Sequence, residues 1–413
     1  MKRAAFCTPI CLAIAAAATA CQAAPEFSGQ VRPQWIDQQP NDAGPLAHAV
    51  ALQPGIAALP ASGATLETEL RASGHGLSFV GTLQQQRLEG DRLRSHAWVN
   101  ELFGSAEAGG WQFSAGKKIV GWDVGYGFRP NDVVEQETRR TLLGVTPEGR
   151  PLLMAEHFDA STAWSFVFVN PSKPRDQRGA EEPALAARVY QRDGAVDWHG
   201  FVRYGAHTGA SVGAAAAWVA SESVELHASL RMLARADTLA SDAPAAALLR
   251  TNPWQSASVS RPVQALVGGT WTNEAQVSVL AEAWWDGSAL SDAQWDDWAA
   301  RNRALASLLG TPAPSSAIAG NLAWQASAFG ASTNLRRANL FARLSWQHDK
   351  WQPAIDMLYT PADRGRVLTG AIGWQGDRVR VDAGLRIYGG PLDALLAQLP
   401  TRRIGFVAAT WSF

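Results

Sequence analysis

Short stretches in which apolar and polar residues alternate recur from one end of this chain to the other. In one of them Leu66 and Leu70 fall on one side, and Glu67 and Glu69 fall on the other. Because successive side chains of a β-strand point to opposite faces, such alternation predicts strands with one apolar and one polar face. Gly, Asp, Asn and Pro separate the stretches, and junctions as short as 193–194 suit hairpins. The sequence therefore predicts an all-β, antiparallel fold.

About eighteen such stretches can be delimited, and most are near the ~9–11 residues that a tilted strand needs to cross a bilayer. Several of the junctions between them are short, so consecutive stretches are expected to pair with each other. We predict strands near residues 27–36, 64–73, 76–88, 92–103, 109–120, 162–170, 184–192, 195–206, 211–220, 223–236, 261–272, 274–286, 320–331, 336–348, 352–359, 366–375, 378–388 and 403–413.

The composition of the two faces favours a membrane barrel over a soluble sandwich. The apolar faces are rich in Ala, Gly and Trp, and the chain has 18 Trp, a side chain favoured at membrane rims. The polar faces carry Arg, Gln, Glu, His and Ser, as a hydrated lumen would. No stretch after the N-terminal segment supplies the ~18 apolar residues that a membrane helix requires. We therefore predict a transmembrane antiparallel up-and-down β-barrel of about 16–18 strands, formed by residues 24–413.

The last ten residues, IGFVAATWSF, continue the alternation, with Trp411 and Phe413 on one face. This segment resembles the C-terminal signature of bacterial outer-membrane β-barrels, which the assembly machinery of that family reads. The resemblance implies location in the bacterial outer membrane. It implies outer-membrane lipids, lipopolysaccharide and the barrel-assembly machinery as partners, and it is compatible with a homo-oligomer. The alternative is that this is the last core strand of a soluble β-domain.

The N-terminal segment has the features of a secretory signal peptide. A basic start is followed by an Ala-rich apolar run from Ala4 to Thr19, and small residues precede Cys21. We predict a signal peptide over residues 1–23, cleaved after Ala20 or Ala23; lipid modification of Cys21 remains an alternative. All three cysteines lie in or beside this segment, so the mature chain has neither a disulfide framework nor a cysteine metal site.

Four interruptions are long enough to be functional loops, near 37–62, 121–160, 237–258 and 287–318. Long loops together with tight turns are typical of a barrel, whose two ends differ. The last of the four contains a capping box at Ser291–Gln294 and then spaced apolar residues up to Gly310, which predicts a short helix.

The segment KKIVGWDVGYGFRPNDVVEQETRR, residues 117–140, has the highest density of unusual residues. Its Gly116, Lys117 and Trp122, followed by the turn at 130–132, resemble a strand and turn of the alginate-export-like and related large outer-membrane porins. In this chain Asp123 replaces the glycine that follows the tryptophan in that group, and the order of Pro and Asn in the turn is inverted. The resemblance implies a porin whose loop begins after this strand.

If this loop folds into the lumen, its charges form a constriction that orients polar solutes and selects by charge. The alternative is a set of salt bridges that brace an external loop. The candidate constriction residues are Lys117, Lys118, Asp123, Arg129, Asp132, Glu135, Arg139 and Arg140.

Arginines recur on the polar strand faces and are candidates to line the pore. Arg stays charged at any pH and binds carboxylate or phosphate through two hydrogen bonds, which favours anionic or polyhydroxylated solutes. The alternative is that Arg–Glu pairs merely fill the barrel. The candidates are Arg32, Arg71, Arg94, Arg203, Arg231, Arg343, Arg378, Arg380 and Arg386.

The sequence gives little support for catalysis or for nucleic-acid binding. Gly209, Ser211 and Gly213 match the hydrolase pattern G-x-S-x-G, but their neighbours alternate as strands. Asp197 and His199 are the nearest approach to a metal pair, and no cofactor motif is present. The 36 basic and 37 acidic residues nearly balance, so nucleic acid is not an expected partner.

We therefore predict a non-enzymatic channel for small polar solutes, anionic or carbohydrate-like, without a cofactor. Two alternatives stay open. One is an outer-membrane lipid or lipopolysaccharide hydrolase, and the other is a plugged barrel that serves as a receptor or adhesin.

Overall fold

A single closed β-barrel contains almost all of the strands. The structure, a computed structural model, describes residues 25–136 and 147–413; the predicted signal peptide lies outside these residues. Among the described residues, eighteen strands form one antiparallel sheet and two more form a separate hairpin. The strands are β1 (Glu26–Pro40), β2 (Gly63–Gly74), β3 (Leu77–Leu88), β4 (Arg94–Ala108), β5 (Trp111–Lys118), β6 (Arg150–Phe158), β7 (Thr162–Val169), β8 (Ala184–Asp193), β9 (Val196–Gly205), β10 (Gly209–Ser221), β11 (Val224–Leu233), β12 (Arg235–Ala240), β13 (Gln255–Ser260), β14 (Val263–Thr272), β15 (Val277–Asp286), β16 (Ala338–Trp346), β17 (Trp351–Thr360), β18 (Gly365–Gln375), β19 (Val379–Gly389) and β20 (Thr401–Ser412).

The first and last strands close the ring. Each barrel strand pairs with its neighbour in the chain, except that β11 pairs with β14 across the β12–β13 hairpin, and β1 pairs with both β2 and β20. At the seam Trp35 is opposite Val407, and Gly29 and Phe413 exchange two backbone hydrogen bonds of 3.0 Å. The predicted up-and-down barrel is confirmed, with eighteen strands.

The two ends of the barrel differ in the length of their connections. At one end all connections have two to four residues, from the turn at 75–76 to the turn at 376–378; we call it the short-turn end. At the other, the long-loop end, the connections 41–62, 119–149, 234–262 and 287–337 are far longer. This asymmetry is typical of bacterial membrane barrels.

The outer wall is apolar and carries a tryptophan girdle. Leu66, Leu70, Leu185 and Val407 point outward and are exposed, an arrangement that suits lipid chains and not water. Tryptophans concentrate on the outer face near the short-turn end, as expected where a barrel wall meets a membrane interface. They are Trp111, Trp164, Trp198, Trp218, Trp271, Trp346, Trp351, Trp374 and Trp411.

The strand and loop predictions differ from the structure at 320–331, at β6, and at the β12–β13 hairpin, which lies mostly within the stretch predicted as a loop at 237–258. The segment 320–331, predicted as a strand, forms the end of a helix and a 3-10 turn, because its Ala-rich sequence lacks alternation. Conversely, β6 lies inside the stretch predicted as a loop at 121–160. Its inward residues Leu152 and Met154 are buried and apolar, so the strand has apolar residues on both faces and the alternation disappears.

Helices occur only in the long loops among the described residues. They are α1 (Pro45–Leu52), α2 (Asp292–Ser307) and α3 (Ser315–Trp324). The predicted capping box is present: Ser291 Oγ accepts a hydrogen bond from the Gln294 amide, and the Gln294 side chain accepts one from the Ser291 amide. No described helix is long and apolar enough to cross a membrane.

The loops at the long-loop end are tied together by Asp363 in the turn 361–364. Its carboxylate accepts hydrogen bonds from Thr360 Oγ1 at 2.6 Å and from the backbone N–H groups of Gly365 and Leu395, and it pairs with Arg336 at 3.1 Å. Burial alone would raise the pKa of Asp363, but these hydrogen bonds and the Arg336 charge outweigh it and hold the pKa below its usual value. The folded state thus favours the ionised carboxylate.

Candidate functional site

In the connection between β5 and β6, the described residues 119–136 and 147–149 fold into the barrel; we call these residues the inward loop. The inward loop packs against the inner wall. Val133 and Val134 are buried against Leu152 and Met154 of β6, and Asn131 is fully buried. An apolar cluster inside a membrane barrel removes this surface from water and fixes the loop against one side of the lumen.

The inner face of β10 has small residues where the inward loop lies. Ser211, Gly213, Ala215 and Ala217 point inward along this strand. Asn131 Nδ2 donates to Ser229 Oγ at 2.9 Å and to two backbone carbonyls of the wall at 3.1 and 3.2 Å. A Cβ added to Gly213 would overlap Asn131 Oδ1. The residues that match G-x-S-x-G therefore lie in a strand that contacts the inward loop. Ser211 is not in the sharp strand-to-helix turn that holds the nucleophile of a hydrolase.

Glu282 on β15 holds the inward loop from the opposite side. Its carboxylate accepts hydrogen bonds from the backbone N–H groups of Tyr126 and Gly127, both at 2.6 Å, and lies 3.0 Å from His227 Nε2. The side chain is fully buried. Gly268 makes this approach possible, because an added Cβ there would lie 2.6 Å from Glu282 Cγ. Hydrogen bonds to a buried ionised group are among the strongest single contacts in a protein.

Asp123, a predicted constriction residue, fixes the shape of the inward loop. Its φ of +98° is unusual for a residue with a side chain. Asp123 Oδ2 accepts hydrogen bonds from the Asn131 amide at 2.6 Å and from Ser229 Oγ at 2.9 Å, and Oδ1 accepts one from the Val124 amide at 2.8 Å. These contacts stabilise a backbone conformation that would otherwise be strained.

The other predicted residues of the inward loop have different environments. Arg129 Nε donates to the Gly125 carbonyl at 3.0 Å, and Glu135 Oε1 accepts from the Val120 amide at 2.9 Å. Arg129 and the buried Asp132 border a cavity of about 100 Å³ next to Arg231. Arg139 and Arg140 lie outside the described residues.

The lysines at the end of β5 take part in charged contacts at the base of the loop. Lys117 pairs with Glu148. Lys118 Nζ lies 3.7 Å from Glu156 and 5.1 Å from the centre of the Phe103 ring. Nearby, the hydrogen bond from Lys173, together with the charges of Lys173, Arg150 and Lys117, lowers the pKa of Glu181 in spite of some burial.

Most of the predicted pore-lining arginines do point into the barrel, but a carboxylate or another oxygen contacts each of them. The ion pairs are Arg32–Glu67 at 2.5 Å, Arg71–Glu69 at 2.6 Å, Arg203–Glu182 at 3.0 Å, Arg343–Asp356 at 3.1 Å and Arg380–Asp382 at 2.8 Å. Arg231 donates to Ser211 Oγ and to the Pro130 carbonyl, and Arg386 donates to Thr369 Oγ1 at 2.9 Å. In these ion pairs, each positive charge in the lumen is therefore balanced by a negative one.

Two predicted arginines lie away from the middle of the barrel. Arg94, at the start of β4, is mostly exposed and pairs with Asp91 in the turn 89–93. Arg378 lies in the turn 376–378 at the short-turn end. Neither contacts the described part of the inward loop, so the structure does not bring them into a constriction.

Arg343 meets the inward loop across the lumen. Its Nη1 donates to Tyr126 Oη at 3.0 Å and to Asp356 Oδ1 at 3.1 Å. The Tyr126 ring stacks on Phe341, with 5.8 Å between ring centres. Although the Tyr126 side chain lies inside the closed ring of strands, the residue is 45% exposed. Space that water can enter therefore lies beside the loop.

The sequence-based prediction missed some inward arginines, among them Arg188 and Arg192 of β8. Arg188 points into the lumen near two aromatic rings, Trp122 of the inward loop and Tyr190 of its own strand. The alternation around it, with Leu185 outward and Ala186, Arg188 and Tyr190 on the other face, would have indicated its direction.

The structure assembles no catalytic or metal site from the other candidates. Asp197 Oδ1 accepts a hydrogen bond from Tyr190 Oη at 2.6 Å, and the His199 ring packs between Tyr190 and Phe201. In the part of the chain that the structure describes, no three His, Cys, Asp or Glu side chains are grouped to hold a metal ion.

Solved porin structures resemble this barrel. Pseudomonas aeruginosa OccK8 (OprE) aligns with a TM-score of 0.52 and 8% identity, over 94% of this chain and 98% of that one. P. aeruginosa OccK3 (OpdO) aligns with a TM-score of 0.51 and 8% identity, over 94% and 95%. A mutant Rh. blastica porin also matches, with a TM-score of 0.45 and 10% identity over 94% and 100%. Neither a family model nor a curated protein sequence matches this chain. The likeness is one of fold, and the alginate-export-like subgroup stays a prediction.

Proposed function

We propose that this protein is a porin-like channel of the bacterial outer membrane, through which small polar solutes diffuse. The observation that carries the proposal is the exposure of side chains inside the ring of strands. Tyr126 on the inward loop is 45% exposed and the inward side chain of Arg71 is 54% exposed. Water that reaches these groups would also carry dissolved solutes, because a hydrated lumen lowers the cost of moving a polar molecule through the bilayer.

The charges around Tyr126 suggest how solutes are selected. Arg343 and Asp356 face the loop on one side, and Arg380 and Asp382 form a second pair closer to the short-turn end. Carboxylate or hydroxyl groups of a solute can exchange hydrogen bonds with these paired side chains as they pass. Anionic and carbohydrate-like solutes are therefore the proposed cargo.

Passage of solutes is tested by swelling of liposomes that contain the refolded protein, with sugars and with organic anions of increasing size. Small solutes should enter at rates that fall as size increases. In planar bilayers, Arg343→Gln should shift the reversal potential in a salt gradient towards cation preference. Arg94→Gln is the matched control, because Arg94 is exposed at the long-loop end, and it should leave the potential unchanged. Absence of swelling for every solute would favour a plugged barrel, and ester hydrolysis without swelling would favour an enzyme.

A further inference from the structure

Arg188 occupies a central position on the inner wall, close to the inward loop. On neighbouring strands it is directly opposite Ser165 of β7 and Phe201 of β9. His199 is diagonal to it, since His199 is opposite Tyr190, two residues further along β8. Arg188 is therefore surrounded by groups of three strands and of the loop above them.

Two aromatic rings lie near the Arg188 guanidinium. Its Cζ lies 6.0 Å from the centre of the Trp122 ring and 5.7 Å from the centre of the Tyr190 ring. Cation–π contacts of this kind attract the planar group through its faces. Such contacts do not use the N–H groups of the guanidinium, so its terminal Nη groups can still donate hydrogen bonds to a carboxylate.

Arg188 has no hydrogen-bond acceptor among the described residues. Its Nε is buried without a partner, and no described carboxylate oxygen lies within 4.0 Å of its nitrogen atoms. This distinguishes it from Arg32, Arg71 and Arg343, each of which has a carboxylate. Glu156 acts on Arg188 only through charge at longer range. A partly buried charge without a carboxylate in direct contact is costly, so the site favours an anion from the lumen.

The surrounding charges indicate which anion fits. Glu156 lies on the far side of Ser165, which donates a hydrogen bond to it at 3.0 Å, and Asp197 is bound to Tyr190. These carboxylates would repel a dianion such as phosphate more strongly than a monoanion. On the neighbouring strand β9, His199 Nδ1 is also buried without a hydrogen-bond partner among the described residues.

We infer that Arg188 is the binding point for the carboxylate group of a solute, next to Trp122 and Tyr190 and beside the inward loop. Its role in transit rests on the proposed channel function, whereas binding itself does not require conduction. A solute bound there would pause on its way past the loop and exchange with others of the same charge.

Binding can be measured without a membrane, by ¹⁹F NMR of fluoroacetate with the refolded protein in detergent micelles. Fluoroacetate should show saturable line broadening, and the neutral fluoroacetamide should not. Arg188→Gln should weaken binding by at least about tenfold, because one charge-assisted bidentate contact is lost. Arg188→Lys should give intermediate binding, because it retains the charge without the planar donors. Arg192→Gln, which removes the next inward arginine of β8, is the matched control and should bind as the wild type does.

Heat-dependent gel mobility shows whether each variant has formed its barrel. If Arg188→Gln does not fold, the proposal is tested by the binding of Arg188→Lys and by the comparison of fluoroacetate with fluoroacetamide. Equal broadening by fluoroacetate and fluoroacetamide, or unchanged binding in a folded Arg188→Gln or Arg188→Lys variant, would overturn the site and leave the channel proposal intact. Stronger competition by inorganic phosphate than by acetate would overturn the assignment to carboxylates. Arg188-dependent binding in a protein that is silent in bilayers would support the site and contradict the channel.

Discussion

The carboxamide of Asn131 occupies the space that a side chain at Gly213 would need. This single contact joins the inward loop to the barrel wall, because Asn131 also donates hydrogen bonds to Ser229 and to two wall carbonyls. The wall and the loop are thus complementary in shape, and the loop cannot keep its position if the wall gains one methyl group here.

Gly213→Ala should therefore displace the inward loop without opening the barrel. Overpacking of this kind costs about 1–3 kcal/mol, and the loop should yield before the strands do. We expect a larger single-channel conductance and faster proteolysis in the loop. Gly370→Ala is the control, since nothing lies within 4 Å of an added Cβ there. Unchanged conductance in a folded Gly213→Ala variant would contradict the position of the loop.

Glu282→Gln should loosen the other side of the loop. Tyr126 and Gly127 donate to different oxygens of Glu282. The neutral amide has one acceptor oxygen, so one of these hydrogen bonds is lost and the other loses its charge assistance, at a cost of about 1.5–3 kcal/mol. Noisier conductance with frequent substates is expected in planar bilayers. Glu225→Gln is the control, because it alters the more exposed carboxylate partner of His227, and it should not increase the current noise. Equal current noise in both variants would contradict the role of Glu282 in holding the loop.

Acid should loosen the long-loop end through Asp363. Its pKa is lowered in the folded state, so its stabilising contribution is present above the usual value of 3.8 and is lost as the pH falls through the lower, folded-state pKa. The hydrogen-exchange protection factor of the Leu395 amide, which donates to Asp363, should therefore fall in that pH range. In Asp363→Asn the Leu395 amide should have a low protection factor at every pH. If the protection factor of the wild type does not change as Asp363 is protonated, the role of Asp363 is contradicted.

Gly29→Leu should impair closure of the barrel. An added Cβ at Gly29 would lie 2.7 Å from Phe413 Cζ and 2.9 Å from the Glu69 carbonyl oxygen, so strand β1 could not keep its register with β20. Refolding yield, measured by the heat-dependent shift in gel mobility, should fall well below that of Gly370→Ala. Normal yield for Gly29→Leu would show that the seam tolerates a side chain.

The strands were predictable wherever one face meets lipid and the other meets water. The alternation of Leu66 and Leu70 with Glu67 and Glu69 is a direct consequence of that difference between the two environments. It fails at β6, where Leu152 packs against the inward loop and the lumen side is apolar as well. The position of a loop within a barrel is a tertiary contact, which the local pattern of one strand does not contain.

The site was predictable in part for a similar reason. Unusual composition indicated the segment that contains Asp123 and Arg129. The alternation of apolar and polar residues around Arg343 predicted that its side chain lies on the inner face. Partners could not be read from sequence, because Glu282 and Tyr126 are far apart in the chain and meet only when the barrel closes. Arg188 was overlooked because its significance lies in the absence of a described carboxylate partner, which no sequence pattern expresses.

Single-channel conductance of the refolded protein in a planar bilayer tests the central claim most directly. A closed barrel with water beside an inward loop should give stable, uniform current steps in potassium chloride, and the Gly213→Ala variant should give larger ones. Absence of steps from protein whose gel mobility confirms a folded barrel, in the wild type and in Gly213→Ala alike, would contradict the channel.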